Sequence, residues 1–155
     1  MRPHLRRPAI PFLLAALAAP LLPCTSYGQT SAVQSVIDAN VPAQAAFDAL
    51  LQRDLTAYFR ATGSPTATAV EWTLLRQQPT QSGISYPKYY AWVRVLDGRR
   101  TIAQGALRFA AAERTHFEVR NFVSAAEANT DPERVSWWFP APLVDGILTR
   151  AQGVE

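Results

Sequence analysis

From Pro42 onward, apolar positions recur every three or four residues. Phe47, Leu50, Leu51, Leu55, Tyr58 and Phe59 share one face of a helix, while Gln44, Asp48, Gln52 and Arg53 fall largely off it. Pro42 suits a first helical turn. Ala61-Thr62-Gly63-Ser64-Pro65 predicts the end, because Gly63 can take a positive φ and Pro65 cannot continue the ladder. The period then changes to two, which predicts strands. Val70, Trp72 and Leu74 share a face over about residues 68–77, as do Tyr89, Ala91, Val93 and Val95 over about 85–96. Ala103, Gly105, Leu107 and Phe109 follow over about 100–111, then Phe117, Val119, Val123 and Ala125 on a fourth strand broken by Asn121. Asp97-Gly98 predicts a two-residue type I′ hairpin, since both residue types tolerate positive φ.

A helical period returns at the end of the chain. Thr130 and Glu133 match a capping box, predicting a short helix through Trp137 or Trp138 that Pro140 and Pro142 interrupt. Leu143, Val144, Ile147, Leu148 and Ala151 then fit a terminal amphipathic helix, weakened by Gly146. Residues 31–41, with Val33, Val36 and Ile37, fit a frayed helix or an edge strand equally well. The predicted class is α+β: one long helix packed on a four-stranded antiparallel meander, with short C-terminal helices.

Over residues 42–126 this element order resembles the cystatin-like and NTF2-like groups of folds, in which a curved sheet wraps a long helix. The Gln-x-Val-x-Gly hairpin motif of cystatin inhibitors is absent, since Gln34-Ser35-Val36-Ile37-Asp38 lacks its glycine and precedes the helix. Nor does the multi-helix start of typical NTF2-like enzymes stand out. The resemblance implies shape rather than activity. Its NTF2-like side implies a hollow between helix and sheet, where an acid such as Glu71 or Glu118 would meet Tyr90 or His116.

Ahead of this pattern, Arg2, Arg6 and Arg7 precede a 13-residue apolar run from Ile10 to Leu22 and a small-residue pattern at Ser26-Tyr27-Gly28. The run is short of the ~20 apolar residues of a membrane span, so residues 1–28 read as a signal peptide cleaved after Gly28. A periplasmic or secreted protein with no transmembrane segment in its mature chain follows. Pro23 beside Cys24 departs from a lipobox and argues against a lipid anchor, and Arg6-Arg7 read as ordinary leader charges rather than a twin-arginine signal. Residues 29–155 are then one domain.

Cleavage changes the charge. The formal +3 of the full chain rests on the three leader arginines, and without them twelve basic residues face twelve acidic ones. A neutral domain lacks the accumulated charge that nucleic acid or an anionic membrane would demand. Cys24, the only cysteine, leaves with the leader, so disulfides and thiol chemistry drop out.

Candidate chemistry is sparse. His116 is the sole histidine after residue 28, no nucleophile-elbow motif occurs, and the seven glycines form no phosphate loop. No spaced His, Cys or acidic set points to a metal, and no cofactor motif is present. Glu113 and Glu118 lie on or beside the last hairpin, while Asp131 and Glu133 fit a helix start. Alternation sends Tyr90, Trp92, Arg94, Arg108, His116, Glu118, Arg120 and Phe122 to the sheet face opposite the helix. Rings with interleaved arginines favour a binding surface for a second protein or another copy of the chain, unless the C-terminal segment covers them. The expectation is an exported, non-enzymatic binding or accessory module of a bacterial envelope. An inhibitor or immunity-type protein, an NTF2-like small-molecule binder or enzyme, and a purely structural domain are its rivals.

Overall fold

The computed structural model describes residues 39–154. The expected leader, Cys24 and residues 33–37 lie outside that range. Helix α1 (Gln44–Ala61) buries Phe47, Leu51, Leu55 and Phe59, with Leu50 and Tyr58 partly covered, as the apolar stripe predicts. Pro42 stands just ahead of the helix, whose cap position is Ala43. At the other end Ser64 N donates to Phe59 O (2.9 Å), and Gly63 takes φ 129°.

Four strands follow in a meander: β1 (Ala69–Leu74), β2 (Lys88–Asp97), β3 (Arg100–Ala112) and β4 (His116–Ser124), in spatial order 1-2-3-4 and all antiparallel. The β2–β3 turn sits one residue later than the sequence predicts. Asp97 pairs with Arg100, and Gly98 is the only one of the two central residues with positive φ (60°), as a type II′ turn requires.

Polar groups of α1 reach both rims of the sheet. With its amide turned so that both ends bond, Gln52 donates to Val70 O (2.8 Å) and accepts from Val70 N (3.0 Å) on the β1 edge. Asp54 accepts from Phe117 N (2.7 Å) on the β4 edge, and Arg53 Nη2 donates to Thr115 O (2.9 Å). One helix can touch both edge strands only if the sheet curls around it. Register shifts at Val95/Leu96 and Arg108/Phe109 supply bends of the kind that produce such curling. The contacts also occupy main-chain groups that an open edge would leave unpaired.

The second face of the sheet is covered by α2 (Ala125–Thr130), α3 (Pro132–Trp138) and α4 (Ala141–Gln152). Val135, Phe139, Ile147 and Ala151 pack there with Tyr90, Trp92, Ala106 and Val123, forming a second core separate from that of α1. Among the described residues, no helix is long and apolar enough to cross a membrane.

The capping box lies elsewhere than expected. Ser124, not Thr130, heads it: Glu127 N donates to Ser124 Oγ (3.2 Å) and Ser124 N donates to Glu127 Oε2 (2.9 Å). Thr130 ends α2 and donates to Ala126 O (3.0 Å), while Asp131 caps α3 by accepting from Arg134 N (3.3 Å). Both Ser124-x-x-Glu127 and Thr130-x-x-Glu133 fit the local rule, but Ser124 marks the break where β4 must stop.

The Ser124 backbone N–H, then its hydroxyl, and to a lesser degree Arg134, hold the Glu127 carboxyl below its usual range against a small opposing effect of burial. A depressed folded pKa means that the stabilisation is complete above the unfolded value of about 4.3 and is lost as pH falls through the folded one. Glu127→Gln is therefore expected to be less stable near neutrality and to lose less on acidification below about pH 4. Urea midpoints measured across that window check this; parallel acid limbs in the two proteins would contradict it.

Candidate functional site

The helix–sheet interior is filled. Phe47 meets Phe117 edge-on (centroids 4.8 Å apart) and Tyr89 likewise (5.5 Å), and Tyr89 stacks on Phe109 (5.4 Å, 13°). Leu51, Leu55, Leu107 and Phe109 have no exposed surface. At the mouth of this layer a cleft of about 330 Å³ is bounded by Gln44, Phe47, Asp48, Trp72, Leu74 and Tyr89. The acids considered for an NTF2-like hollow are not there. Glu71 pairs with Arg94 (3.2 Å), and Glu118 with His116 (3.4 Å) and Arg120, all on the opposite side of the sheet.

The eight residues predicted to share that opposite face are divided by the structure. Tyr90 and Trp92 do lie on it, but are 4% and 9% exposed beneath the C-terminal helices, with Tyr90 packed on Phe139 (6.1 Å). Tyr90 also shares a hydrogen bond with Thr80 (2.8 Å). Arg94 is exposed, paired with Glu71 and donating to Thr101 Oγ1 (3.2 Å).

Phe122 is a correction. Val119 pairs with Phe109 but Asn121 pairs with Arg108, which leaves Arg120 as one extra residue in β4. Parity inverts past that bulge. Phe122 turns towards α1, its ring 5.0 Å from Phe59, and Val123 joins the second core. Ala125, expected beside Val123 on a strand, begins α2.

His116, Glu118 and Arg120 line up along β4. Thr115 Oγ1 lies 3.1 Å from His116 Nδ1, His116 Nε2 lies 3.4 Å from Glu118 Oε1, and Glu118 Oε2 pairs with Arg120 Nη2. All three charged or chargeable side chains are 39–46% exposed, so the row is a solvated ion-pair chain rather than a sequestered acid–base site. Among the described residues no group of three or more His, Cys, Asp or Glu is placed to hold a metal.

Arg108 belongs to a different constellation. Its guanidinium carbon lies 5.6 Å from the centre of the Trp138 ring, and Nη1 donates to Trp138 O (3.2 Å). Arg108 Nε and the Oδ1 of its cross-strand neighbour Asn121 are buried without a partner. Beside this, Trp137 is 66% exposed and Trp138 37%. The C-terminal segment does cover Tyr90 and Trp92, but through Val135, Phe139, Ile147 and Ala151 rather than through this tryptophan pair. Val135 and Phe139, four residues apart, face inward and Trp137 falls off that stripe, while Trp138, three residues after Val135, sits at its margin beside Arg108.

Compared with protein-family models, with curated proteins and with solved structures, the chain matches none. Its function must be argued from the site itself.

Proposed function

We propose that this chain is an exported, non-enzymatic accessory module that binds another protein, with Trp137 and Trp138 as the anchor of the contact. The carrying observation is the outward-facing indole pair, with Trp137 two-thirds exposed and Trp138 backed by the Arg108 guanidinium. Tryptophan and arginine dominate binding hot spots, because a large rigid ring removed from water brings much contact area with little side-chain ordering. Large rings left in water are otherwise disfavoured, and the same fold buries Tyr90 and Trp92 with ease. The filled α1–sheet interior favours this reading over an enzyme with a central cavity. Export is part of the proposal and rests on residues 1–28. Inhibitor and immunity-type roles are narrower forms of the same reading.

Trp137→Ala is expected to change stability by no more than about 0.5–1 kcal/mol, since that ring is mostly in water, while Trp138→Ala, which also loses the stacking on Arg108, costs somewhat more. Both are expected to abolish retention of a partner crosslinked by the wild-type protein in its native envelope extract. An identical crosslinked set with and without Trp137, or a clean monomer with no retained partner, would overturn the reading. A product consisting only of a second copy would replace it with self-association.

A further inference from the structure

The β1 edge has a pattern that Gln52 completes at only one position. Leu75 N donates to Tyr90 O (2.8 Å) and Leu74 pairs with Ala91, so the bonded pairs of this antiparallel ladder fall at Glu71, Thr73 and Leu75. The main-chain groups of Val70, Trp72 and Leu74 then point away from the sheet. At Val70 the Gln52 amide makes the two bonds that a further strand would make. Among the described residues nothing bonds the outward groups of Trp72 or Leu74.

Gln44, Asp48 and Gln52 form one stripe of α1, each one turn from the next. Four helical residues advance ~6 Å and two strand residues ~6.6 Å, so the stripe keeps step with Leu74, Trp72 and Val70. Where Gln52 closes the gap, α1 and β1 touch. One turn earlier they part, and the cleft of about 330 Å³ opens with Asp48 on one wall, Trp72 and Leu74 on the other, and Phe47 and Tyr89 within. Asp48 is exposed and has no ion-pair or hydrogen-bond partner among the described residues.

We propose that this cleft binds an extended peptide segment of a partner protein, carrying a basic side chain. The segment continues along Trp72 and Leu74 the ladder that Gln52 begins. One alternate side chain enters between Phe47 and Trp72, and a lysine or arginine meets Asp48. This is strand addition to a sheet edge, with main-chain bonds giving affinity and the acid giving preference. The site lies across the sheet from Trp137 and Trp138 and stands or falls separately from them.

The probes are acetylated, amidated hexapeptides of alternating valine and threonine with lysine or glutamate at one central position, added to the full chain. The lysine peptide is expected to bind saturably, to shift the Trp72 and Leu74 amide resonances, and to bind about fivefold more tightly than the glutamate peptide. N-methylation of the amides on one edge of the peptide is expected to weaken it about tenfold or more. Asp48→Asn should erase the lysine preference and keep the sensitivity to N-methylation, and Trp137→Ala should change neither. In the free protein, the Trp72 and Leu74 amides should exchange rapidly with solvent. Protection of those amides would assign the cleft to the chain's own preceding residues or a second copy and overturn the proposal. Absence of saturable binding up to about 1 mM, or binding indifferent to N-methylation, would overturn it equally.

Discussion

An alanine at Gly105 is expected to destabilise the protein by about 3 kcal/mol or more, at the upper end of the usual cost of overpacking. Gly105 lies in the middle of β3, between Val93 of β2 and Ser124 of β4. A Cβ there would stand 2.2 Å from Val123 O and 2.7 Å from Ser124 Cα. Both are main-chain atoms, so no side-chain rotation relieves the clash. The end of β4 would have to move, and the capping box of α2 begins at that same Ser124. Chemical denaturation should show a lowered midpoint together with increased exposure of Trp92, because the second core is seated through β4. An unchanged midpoint would mean that β4 does not pass as close to Gly105 as described.

Phe109→Ala is the second large effect, with an expected loss of about 3–5 kcal/mol. The ring is fully buried, stacks on Tyr89 and meets Phe117 edge-on at 5.5 Å, so its removal leaves a cavity amid rings fixed by α1 on one side and the sheet on the other. A typical domain has only about 5–15 kcal/mol of net stability, so this variant is expected to be partly unfolded at modest urea concentrations. Ile147→Ala in the second core provides a comparison. The two sites lie in different cores on opposite faces of one sheet, and their costs should add to within about 0.5 kcal/mol in the double variant. A large departure from additivity would show that the two cores are coupled through the sheet.

The architecture was legible in the sequence wherever one periodicity held for several turns or residue pairs. The α1 stripe, the alternation of β2 and β3, and the amphipathic pattern of α4 all lie where the apolar positions put them. What local pattern cannot carry is a change of phase. A bulge adds a residue without any required residue type, so Arg120 left no mark, and parity counted from Phe117 sent Phe122 and Val123 to the wrong sides. The site was obscured for a related reason. Alternation groups Tyr90, Trp92 and Arg108 on a face but cannot say what lies over that face, because burial under α2–α4 depends on contacts across thirty or more positions in sequence. The α1–β1 cleft was harder still to see. Its main-chain donors and acceptors have no sequence signature, and Gln44, Asp48 and Gln52 read simply as the polar side of a helix.

The spare residue at Arg120 also gives β4 two successive duties. Before it, Phe117 and Val119 serve the layer built on α1; after it, Phe122 still serves that layer while Val123 anchors the C-terminal helices. An unbroken strand would hold Phe122 outward, in the place that Val123 now fills beside Ala106. The docking of everything beyond Ser124 is thus decided by a frame change made before that segment starts, and pairing Arg120 into the ladder as an ordinary residue would exchange the two sides' occupants while leaving composition untouched.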